Sequence, residues 1–325
     1  MALMPNDIDI EGLDAIVNGL EVSTLRSYDI ILVNSSGGKD SQTTLDYVVK
    51  LCDLLSIPRS RIIVVHCDLG RVEWEGTAEL AREQAEHYGL RFEIVRRELG
   101  DLIDQVEQRH ESNVSKGRDI APWPSSEARW CTSDQKTAQV KKLVTALVQE
   151  WRKANGIKGR GARKVRILNC LGIRAEESVA RSKKESFHAD DMNWTRVDKV
   201  VDGKKVINPE TGKVVKVIQP HGMREVDRWL PIFDWTEENV WDSIWASGVR
   251  YHDAYEKGMS RLSCAFCVLA SKADLIIAAQ HNKGLAQEYL AVEVKVGKRF
   301  TQALSIAEII EAANRAEAEK ISASA

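Results

Sequence analysis

The feature that most constrains the fold is a short apolar run that ends in a pair of glycines. Residues 29–34 (DIILVN) form a continuous stretch of the kind found in strands that are buried on both faces of a sheet. The tetrapeptide SSGG follows at 35–38, and apolar residues with helical spacing then extend over 42–55. A buried strand that leads through a tight turn into a helix is the repeating unit of a parallel sheet covered by helices.

The same alternation of strand and helix continues along the chain. Short β-branched runs separated by Asp-Gly and Thr-Gly predict a β-hairpin insertion over 195–219. We therefore predict an α/β fold with a parallel sheet, whose ligands bind beyond the carboxyl ends of the strands. Further strands are predicted at 61–66, 91–96, 165–171 and 229–233, helices at 77–88, 102–108 and 134–151, and a loop rich in serine and proline at 111–130.

Two flanking regions complete the predicted organisation around a central domain at 28–235. Residues 1–27 are predicted to form an N-terminal packing helix, because Ile8, Ile10, Leu13, Ile16, Val17 and Leu20 have the spacing of one helix face. A helical C-terminal region is predicted at 236–325 and carries a C-x-x-C pair. Its helices are predicted at 237–246, 272–280, 285–294 and 306–320.

Charge and composition exclude several classes of protein. The 46 basic and 48 acidic residues give a formal charge of −2, so no global field attracts the chain to nucleic acid or to an anionic membrane. No apolar run approaches the roughly 20 residues of a membrane helix, and no membrane partner is expected. The first residues lack the pattern of a secretory signal, so the six cysteines are expected to be reduced thiols of a cytoplasmic protein.

The turn at 35–41 (SSGGKDS) has the composition of a phosphate cradle. Its two glycines allow backbone N–H groups to close on an anion, and the following helix adds its partial positive charge. Lys39 contributes a full charge, while Ser36 and Ser41 contribute hydroxyls. The spacing differs from that of a Walker A loop. The alternative is a turn whose glycines only permit tight packing.

Four segments resemble known motifs, in order along the chain. Residues 36–41 (SGGKDS) resemble the PP-loop of the ATP-pyrophosphatase superfamily, which cleaves ATP between the α and β phosphates. Segments 66–70 (HCDLG), 129–136 (RWCTSDQK) and 172–178 (GIRAEES) are similar to motifs of the phosphoadenosine phosphosulfate reductase family. The last segment closely resembles the ATP-pyrophosphatase component of DNA phosphorothioation systems. The resemblance implies a Rossmann-like adenine nucleotide alpha hydrolase fold.

This resemblance also implies ligands and site residues. ATP and Mg²⁺ are the expected ligands, and Lys39, Asp40 and Arg174 are the expected catalytic residues, with Asp40 close to Mg²⁺ or the phosphates. Arg181 lies seven residues beyond Arg174, on the same face if the segment is helical; the alternative for both arginines is a solvated surface. The full set of implied nucleotide contacts is Ser35, Ser36, Gly37, Gly38, Lys39, Asp40, Ser41, Asp68, Gly172, Arg174 and Arg181.

Three cysteines are candidate metal ligands. Cys264 and Cys267 have the spacing of two ligands of one metal or cluster, and also of a redox dithiol. Cys131 lies in a segment whose counterpart carries cluster ligands in some family members, and Cys170 is the candidate for a fourth ligand. We expect a [4Fe–4S] cluster, as in the PP-loop tRNA thiolases that this arrangement resembles. The alternatives are a structural Zn²⁺ and unligated thiols.

The intact loop favours adenylation of an acceptor oxygen with release of pyrophosphate. No cysteine follows Cys267, so the tail nucleophile of sulfonucleotide reductases has no counterpart. The expected continuation is sulfur transfer to nucleic acid, with sulfur from a donor protein such as a cysteine desulfurase. Residues 151–166 carry seven basic and no acidic residues and are the predicted nucleic-acid contact, or else a solvated loop. The alternatives are a sulfonucleotide reductase, a sulfate adenylyltransferase and a nucleotide-sensing module.

Overall fold

The structure is a computed structural model that describes residues 15–159 and 161–324. Its strands are β1 (Ile16–Val17), β2 (Leu20–Glu21), β3 (Ile30–Ser35), β4 (Ile62–Asp68), β5 (Arg91–Arg96), β6 (Val165–Leu171), β7 (Phe187–Ala189), β8 (Trp194–Asp198), β9 (Val200–Val201), β10 (Lys204–Lys205), β11 (Lys216–Pro220) and β12 (Arg224–Trp229). Its α-helices are α1 (Lys39–Leu54), α2 (Thr77–His87), α3 (Leu102–Ser115), α4 (Trp130–Thr132), α5 (Ala138–Ala154), α6 (Val179–Ser182), α7 (Glu237–Ser247), α8 (Lys272–His281), α9 (Lys283–Val296) and α10 (Ile306–Ser324). None of these described helices is long and apolar enough to cross a membrane.

Six strands form one central sheet in the order β5-β4-β3-β6-β12-β7. The first five are parallel, and β7 pairs antiparallel with β12. The chain moves outward from β3 to β4 and β5, then returns to the other side of β3 to form β6 and β12. The turns after β3 and β6 therefore meet at the switch point of the sheet, where Rossmann-like folds bind their ligands. The predicted α/β fold with a parallel sheet is confirmed.

Helices cover both faces of the sheet because apolar side chains of the central strands alternate between the faces. On one face, Ile31 and Val33 of β3 share a core cluster with residues of α1 and α7. On the other face, Ile30 and Leu32 share a cluster with residues of α5. A third cluster joins α8, α9 and α10 to α3, and it also includes Trp123. The predicted helices 237–246, 272–280, 285–294 and 306–320 correspond to α7, α8, α9 and α10.

The predicted N-terminal helix is wrong for the described part of its range. Ile16, Val17 and Leu20 lie in the β1–β2 hairpin, and a 3₁₀ helix follows at Val22–Ser27. Asn18 and Gly19 both have positive φ (47° and 81°), as a two-residue hairpin turn of type I′ requires. The Asn-Gly pair therefore overrides the helical spacing. Residues 1–14, which include the remaining apolar positions of that prediction, lie outside the described residues.

Other boundaries also differ from the sequence-based expectations. The strand predicted at 229–233 lies earlier, since β12 ends at Trp229. Helix α3 continues to Ser115, and a π-helical segment, Ser133–Thr137, joins α4 to α5. The predicted hairpin insertion is present as an antiparallel ribbon of β8 and β11, which leads into the short pair β9–β10.

Gly172 allows the two turns at the switch point to touch. A Cβ at this position would lie 2.6 Å from the carbonyl oxygen of Asp40 and 2.9 Å from the backbone nitrogen of Ser41. Real Cβ atoms do not approach backbone so closely, so one of the two turns would have to move. The close approach fixes the turn after β6 against the start of α1.

We expect Gly172→Ala to lower the free energy of unfolding by about 1–3 kcal/mol, because the added methyl group overpacks the contact with Asp40. Urea denaturation followed by circular dichroism measures the change. Gly222→Ala is the matched control, since its Cβ would meet nothing within 4 Å. Its stability should change by less than about 1 kcal/mol. Equal stability of the two variants would contradict the close approach.

Candidate functional site

A cavity of about 230 Å³ opens at the carboxyl ends of the central strands. We call it the main cavity. It brings together parts of the chain that the sequence analysis selected separately: the glycine turn, the segment after β6 and all three candidate cysteine ligands. Its lining includes Ser36, Gly38, Asp40, Ser41, Arg129, Cys131, Lys136, Gly172, Glu177, Arg181, Tyr255, Arg261, Cys264 and Cys267.

The glycine turn is held by hydrogen bonds between its own residues. The Ser41 hydroxyl donates to the carbonyl of Gly38 at 2.8 Å, and it accepts from the backbone N–H of Ser36 at 3.1 Å. Gly37 has a φ of +71°, which disfavours any side chain there. Gly38 is the N-cap of α1, and a Cβ on it would lie 3.2 Å from Leu262. Gly37 therefore allows a backbone conformation that other residues rarely adopt, and Gly38 allows the turn to pack closely against Leu262.

Lys39 does not line the main cavity. Its side chain is only 3% exposed, and its ammonium group donates to the carbonyl of Ser260 at 2.9 Å. It also lies 3.3 Å from the carboxylate of Glu237 and 5.3 Å from the centre of the Tyr255 ring. The charge that we expected at the phosphates is thus compensated by groups of the protein itself.

Asp40 and Arg174 form a buried ion pair beside the turn. The Nε of Arg174 lies 2.6 Å from one carboxylate oxygen of Asp40, and Glu176 also contacts the guanidinium group. Burial lowers the pKa of Arg174, but the charges of Asp40 and Glu176 outweigh this and hold the pKa above its ordinary value. Arg174 therefore orients Asp40 and does not itself border the main cavity.

Three arginines from separate segments border the main cavity: Arg129, Arg181 and Arg261. Arg181 forms an ion pair with Glu177. Its pKa is nevertheless lowered, first by burial and then by repulsion from Arg261 and Arg129. Such a concentration of guanidinium groups suits an anion with several oxygen atoms. Sequence reasoning selected Arg181 but missed the other two, although Arg129 begins one of the recognised motifs.

The three candidate cysteines also meet at the main cavity. Burial raises the pKa of Cys264 to about 12, against the opposing charge of Lys136. Burial lowers the pKa of Lys136, but Cys264, Cys67 and Glu73 raise it above its ordinary value overall. Lys136 ends the recognised motif at 129–136, but its proximity to these groups from distant parts of the chain is not visible in the sequence. Across residues 15–159 and 161–324, no group of three His, Cys, Asp or Glu side chains is arranged to hold a metal ion.

Two further cysteines lie in different environments. Cys170 is fully buried in β6 and packs in the same core cluster as Cys52, whereas the three other candidate ligands border the main cavity. Cys67 borders a second cavity together with Lys136. Burial raises the pKa of its thiol to about 11, and Lys136 opposes this rise.

The second cavity, also about 230 Å³, lies beside the main one over β3, β4 and β6. Its floor is a polar network in which Asn34 donates to Asn169 at 2.7 Å and Asn169 donates to Asp190 at 3.0 Å. Asp68 borders neither of these two cavities, because its carboxylate accepts from the N–H of Gly70. Six residues line both cavities: Ser36, Ser41, Glu73, Thr132, Lys136 and Gly172.

The basic stretch 151–166 lies far from these cavities. It connects the end of α5 to the start of β6, at the edge of the sheet opposite the carboxyl ends. Arg163 holds Asp29 with two hydrogen bonds of 2.7 and 2.9 Å, and Arg152 is buried against the carbonyls of Gly159 and Arg163. These arginines stabilise the loop, and the predicted contact of the stretch with nucleic acid stays a prediction.

Comparisons with known proteins agree with the resemblance that the sequence motifs carry. The phosphoadenosine phosphosulfate reductase domain model matches residues 30–270. The uncharacterized protein MJ0066 of Methanocaldococcus jannaschii is 25% identical over 237 residues, which are 73% of this chain and 36% of that protein. Adenosine 5'-phosphosulfate reductase of Neisseria meningitidis is 42% identical over 50 residues, which are 15% of this chain and 20% of the enzyme. The chain thus spans about a third and a fifth of the length of these two relatives.

Two solved structures are similar at low identity. The phosphoadenylyl-sulfate reductase of Candida auris has a TM-score of 0.39 at 13% identity, covering 81% of this chain and 97% of that one. The U34-tRNA thiolase NcsA of Methanococcus maripaludis with its [4Fe-4S] cluster has a TM-score of 0.37 at 13% identity, covering 87% and 80%. Because the family match includes the sheet, the glycine turn and the C-x-x-C pair, this chain belongs to the phosphoadenosine phosphosulfate reductase domain family.

Proposed function

We propose that this protein adenylates an acceptor oxygen with ATP, releases pyrophosphate and thereby prepares the acceptor, a nucleic acid, for sulfur transfer. One observation carries the proposal: a single cavity is bordered by the glycine turn, by three arginines and by three thiols. A phosphate cradle beside thiols suits a reaction in which a nucleotide activates an atom that sulfur then attacks. The arginines provide charge for the anionic acceptor.

The chemistry balances in two steps. The acceptor oxygen attacks the α phosphorus of ATP, the bond between the α phosphorus and the bridging oxygen breaks, and pyrophosphate leaves with the bonding electrons. A sulfide-level nucleophile then attacks the atom that bears the activated oxygen, and AMP leaves with that oxygen and the bonding electrons. Where a donor protein such as a cysteine desulfurase supplies the sulfur as a persulfide, an external thiol reduces it by two electrons to this level. In this proposal the second cavity takes the adenosine, and the phosphates lie against the turn at 35–41, at the positive end of α1.

The surroundings of the three thiols support an iron–sulfur cluster as the proposed ligand, although the described side chains are not themselves arranged around a metal ion. Cys131, Cys264 and Cys267 border a small apolar cavity that also includes Tyr289. The Tyr289 hydroxyl is buried and has no hydrogen-bond partner among the described residues. An unsatisfied buried donor beside three thiols fits a ligand that carries acceptor sulfurs. A [4Fe–4S] cluster held by these cysteines would supply an iron with an open position for sulfide; Zn²⁺ is the alternative ligand.

Asp40 is the residue proposed to hold Mg²⁺. One of its carboxylate oxygens is engaged by Arg174, while the other lies 4.0 Å from Lys39 and the residue borders the main cavity. Mg²⁺ prefers one or two carboxylates together with phosphate oxygens, and it would neutralise charge on the leaving pyrophosphate.

We expect the wild-type protein to release pyrophosphate from ATP in the presence of Mg²⁺ and its acceptor, and Arg181→Ala to lower the rate about 100-fold, because it removes a positive charge that borders the main cavity. Parallel reactions contain DNA, tRNA, sulfate or no acceptor. Lys153→Ala removes an exposed charge at the opposite edge of the sheet and should keep the wild-type rate. Tight ATP binding without release would indicate a nucleotide sensor, and reduction of a sulfonucleotide to sulfite would indicate a reductase.

We expect Glu237→Gln to tighten ATP binding up to about fivefold, because it frees Lys39 from a partly exposed ion pair of the kind worth about 1 kcal/mol at most. Isothermal titration calorimetry with a non-hydrolysable ATP analogue measures the dissociation constant. The control is Glu238→Gln, an exposed neighbour on α7. If both variants bind as the wild type does, Lys39 does not act on the nucleotide.

We expect protein purified without oxygen to be brown and to contain iron and sulfide. Cys264→Ser should lose the colour and most of the iron, because it removes one thiolate of the set. Cys170→Ala should bind as much iron as the wild type, since Cys170 lies in the core beside Cys52. A colourless wild-type preparation without iron would contradict the cluster, and loss of iron only in Cys170→Ala would contradict the assignment of the ligands.

A further inference from the structure

The hairpin insertion forms a separate arm outside the central sheet. We define the arm as residues 194–220; it contains the ribbon of β8 and β11 and the short pair β9–β10. None of the three core clusters of the described residues includes a residue of the arm. A two-stranded ribbon is only marginally stable by itself, so a contribution to the stability of the fold does not explain an arm of this length.

The arm exposes apolar side chains together with basic ones. Trp194 is 46% exposed and Ile218 is 65% exposed, and Val200, Val201 and Ile207 are exposed as well. The register pairs Trp194 with Pro220, Arg196 with Ile218 and Asp198 with Lys216. Because side chains alternate along a strand, these six residues share one face of the ribbon. That face combines an aromatic ring, aliphatic groups and two basic residues.

The arm has a clear excess of positive charge. It carries six basic residues against three acidic ones, Asp198, Asp202 and Glu210. Asp198 pairs with Lys205 at 2.7 Å and with Lys216 at 3.5 Å. Among the described residues, no carboxylate forms an ion pair with the other four: Arg196, Lys199, Lys204 and Lys213. In the stretch 151–166, Arg163 and Arg166 are bound to Asp29 and Asp227, while Lys153, Lys158 and Lys164 form no ion pair among the described residues and lie at the opposite edge of the sheet.

The base of the arm lies next to the second cavity. Met192 lines that cavity, and Trp194 follows two residues later. Lys141 of α5 donates to the carbonyl of Trp194 at 2.8 Å and anchors the base. A polymer bound along the arm would therefore approach the cavity that the proposed function assigns to the nucleotide.

We propose that the arm binds the phosphodiester backbone of a nucleic acid, with Trp194 stacking on a base. Unpaired basic residues contact phosphates, and an exposed tryptophan stacks on bases of any identity. An acidic protein would also match the charge, but the exposed tryptophan beside Arg196 favours a nucleic acid. The proposal rests on the proposed function for the class of acceptor, a nucleic acid. It concerns only the binding of this acceptor and not the reaction.

Fluorescence anisotropy tests the arm with labelled single-stranded DNA, duplex DNA and RNA, without ATP, over a series of salt concentrations. We expect the triple variant Arg196→Ala/Lys199→Ala/Lys204→Ala to weaken binding at least tenfold. It should also reduce the slope of log K against log salt by about 2 for a single strand and about 3 for a duplex. The matched control is Lys153→Ala/Lys158→Ala/Lys164→Ala, which removes three charges from the stretch 151–166 and should bind as the wild type does.

Trp194→Ala should weaken binding to a single strand about fivefold or more and leave the salt slope unchanged, because stacking does not release counterions. Trp245→Ala, which removes a tryptophan that is 65% exposed on α7, is its control.

Unchanged affinity of the arm variants, equal losses in the control variants, or no binding by the wild type would each overturn the proposal. Binding of an acidic protein that needs Arg196 and Trp194, without binding of any nucleic acid, would also overturn it. Pyrophosphate release is measured separately, so failure of the arm and failure of the proposed function are distinguishable.

Discussion

The close approach of Gly172 to the carbonyl of Asp40 is the contact on which the site depends. It brings the turn after β6 against the start of α1, so the only side chain that fits at this position is a hydrogen atom. The same two segments are joined by the buried ion pair of Arg174 and Asp40. A buried pair of this kind is costly to break from one side, so the relative position of the two turns is strongly specified. Both cavities are built around this junction, since Gly172 lines each of them.

The positive charge that borders the main cavity does not come from Lys39, although this lysine belongs to the glycine turn. Lys39 faces Glu237 and the carbonyl of Ser260, so its charge is compensated within the protein. The uncompensated charge of the main cavity comes instead from residues outside the glycine turn. Lys136 stands among the thiols, where it opposes the rise in the pKa of Cys264 and of Cys67. Repulsion from Arg261 and Arg129 contributes to the lowered pKa of Arg181, so an anion bound there would relieve an existing electrostatic cost.

The features that depend on neighbouring residues in the chain, such as single strands, turns and helix starts, could be predicted from the sequence. The continuous apolar run of β3 and the glycines after it predicted the strand, the turn and the start of α1, and their order predicted the parallel sheet. The helix predicted at the N-terminus was wrong because the spacing of Ile16, Val17 and Leu20 was weighed without the Asn-Gly turn between them. The partners of Lys39 and of Arg163 lie more than a hundred residues away in the chain, and no local pattern reveals such contacts. Cys170 illustrates the same limit, because its side chain faces α1 while the other candidate ligands lie at the carboxyl edge.

The two cavities share six residues, and this shared wall constrains the order of the proposed reaction. Ser36 and Ser41 border both spaces, so phosphates held by the turn would lie between the nucleoside and the thiols. While pyrophosphate occupies that position, it separates the adenosine in the second cavity from the thiols. Release of pyrophosphate joins the two spaces, and the arginines of the main cavity can hold the acceptor beside the thiols. On this proposal, adenylation and sulfur transfer occur in one continuous space, and departure of the leaving group separates them in time.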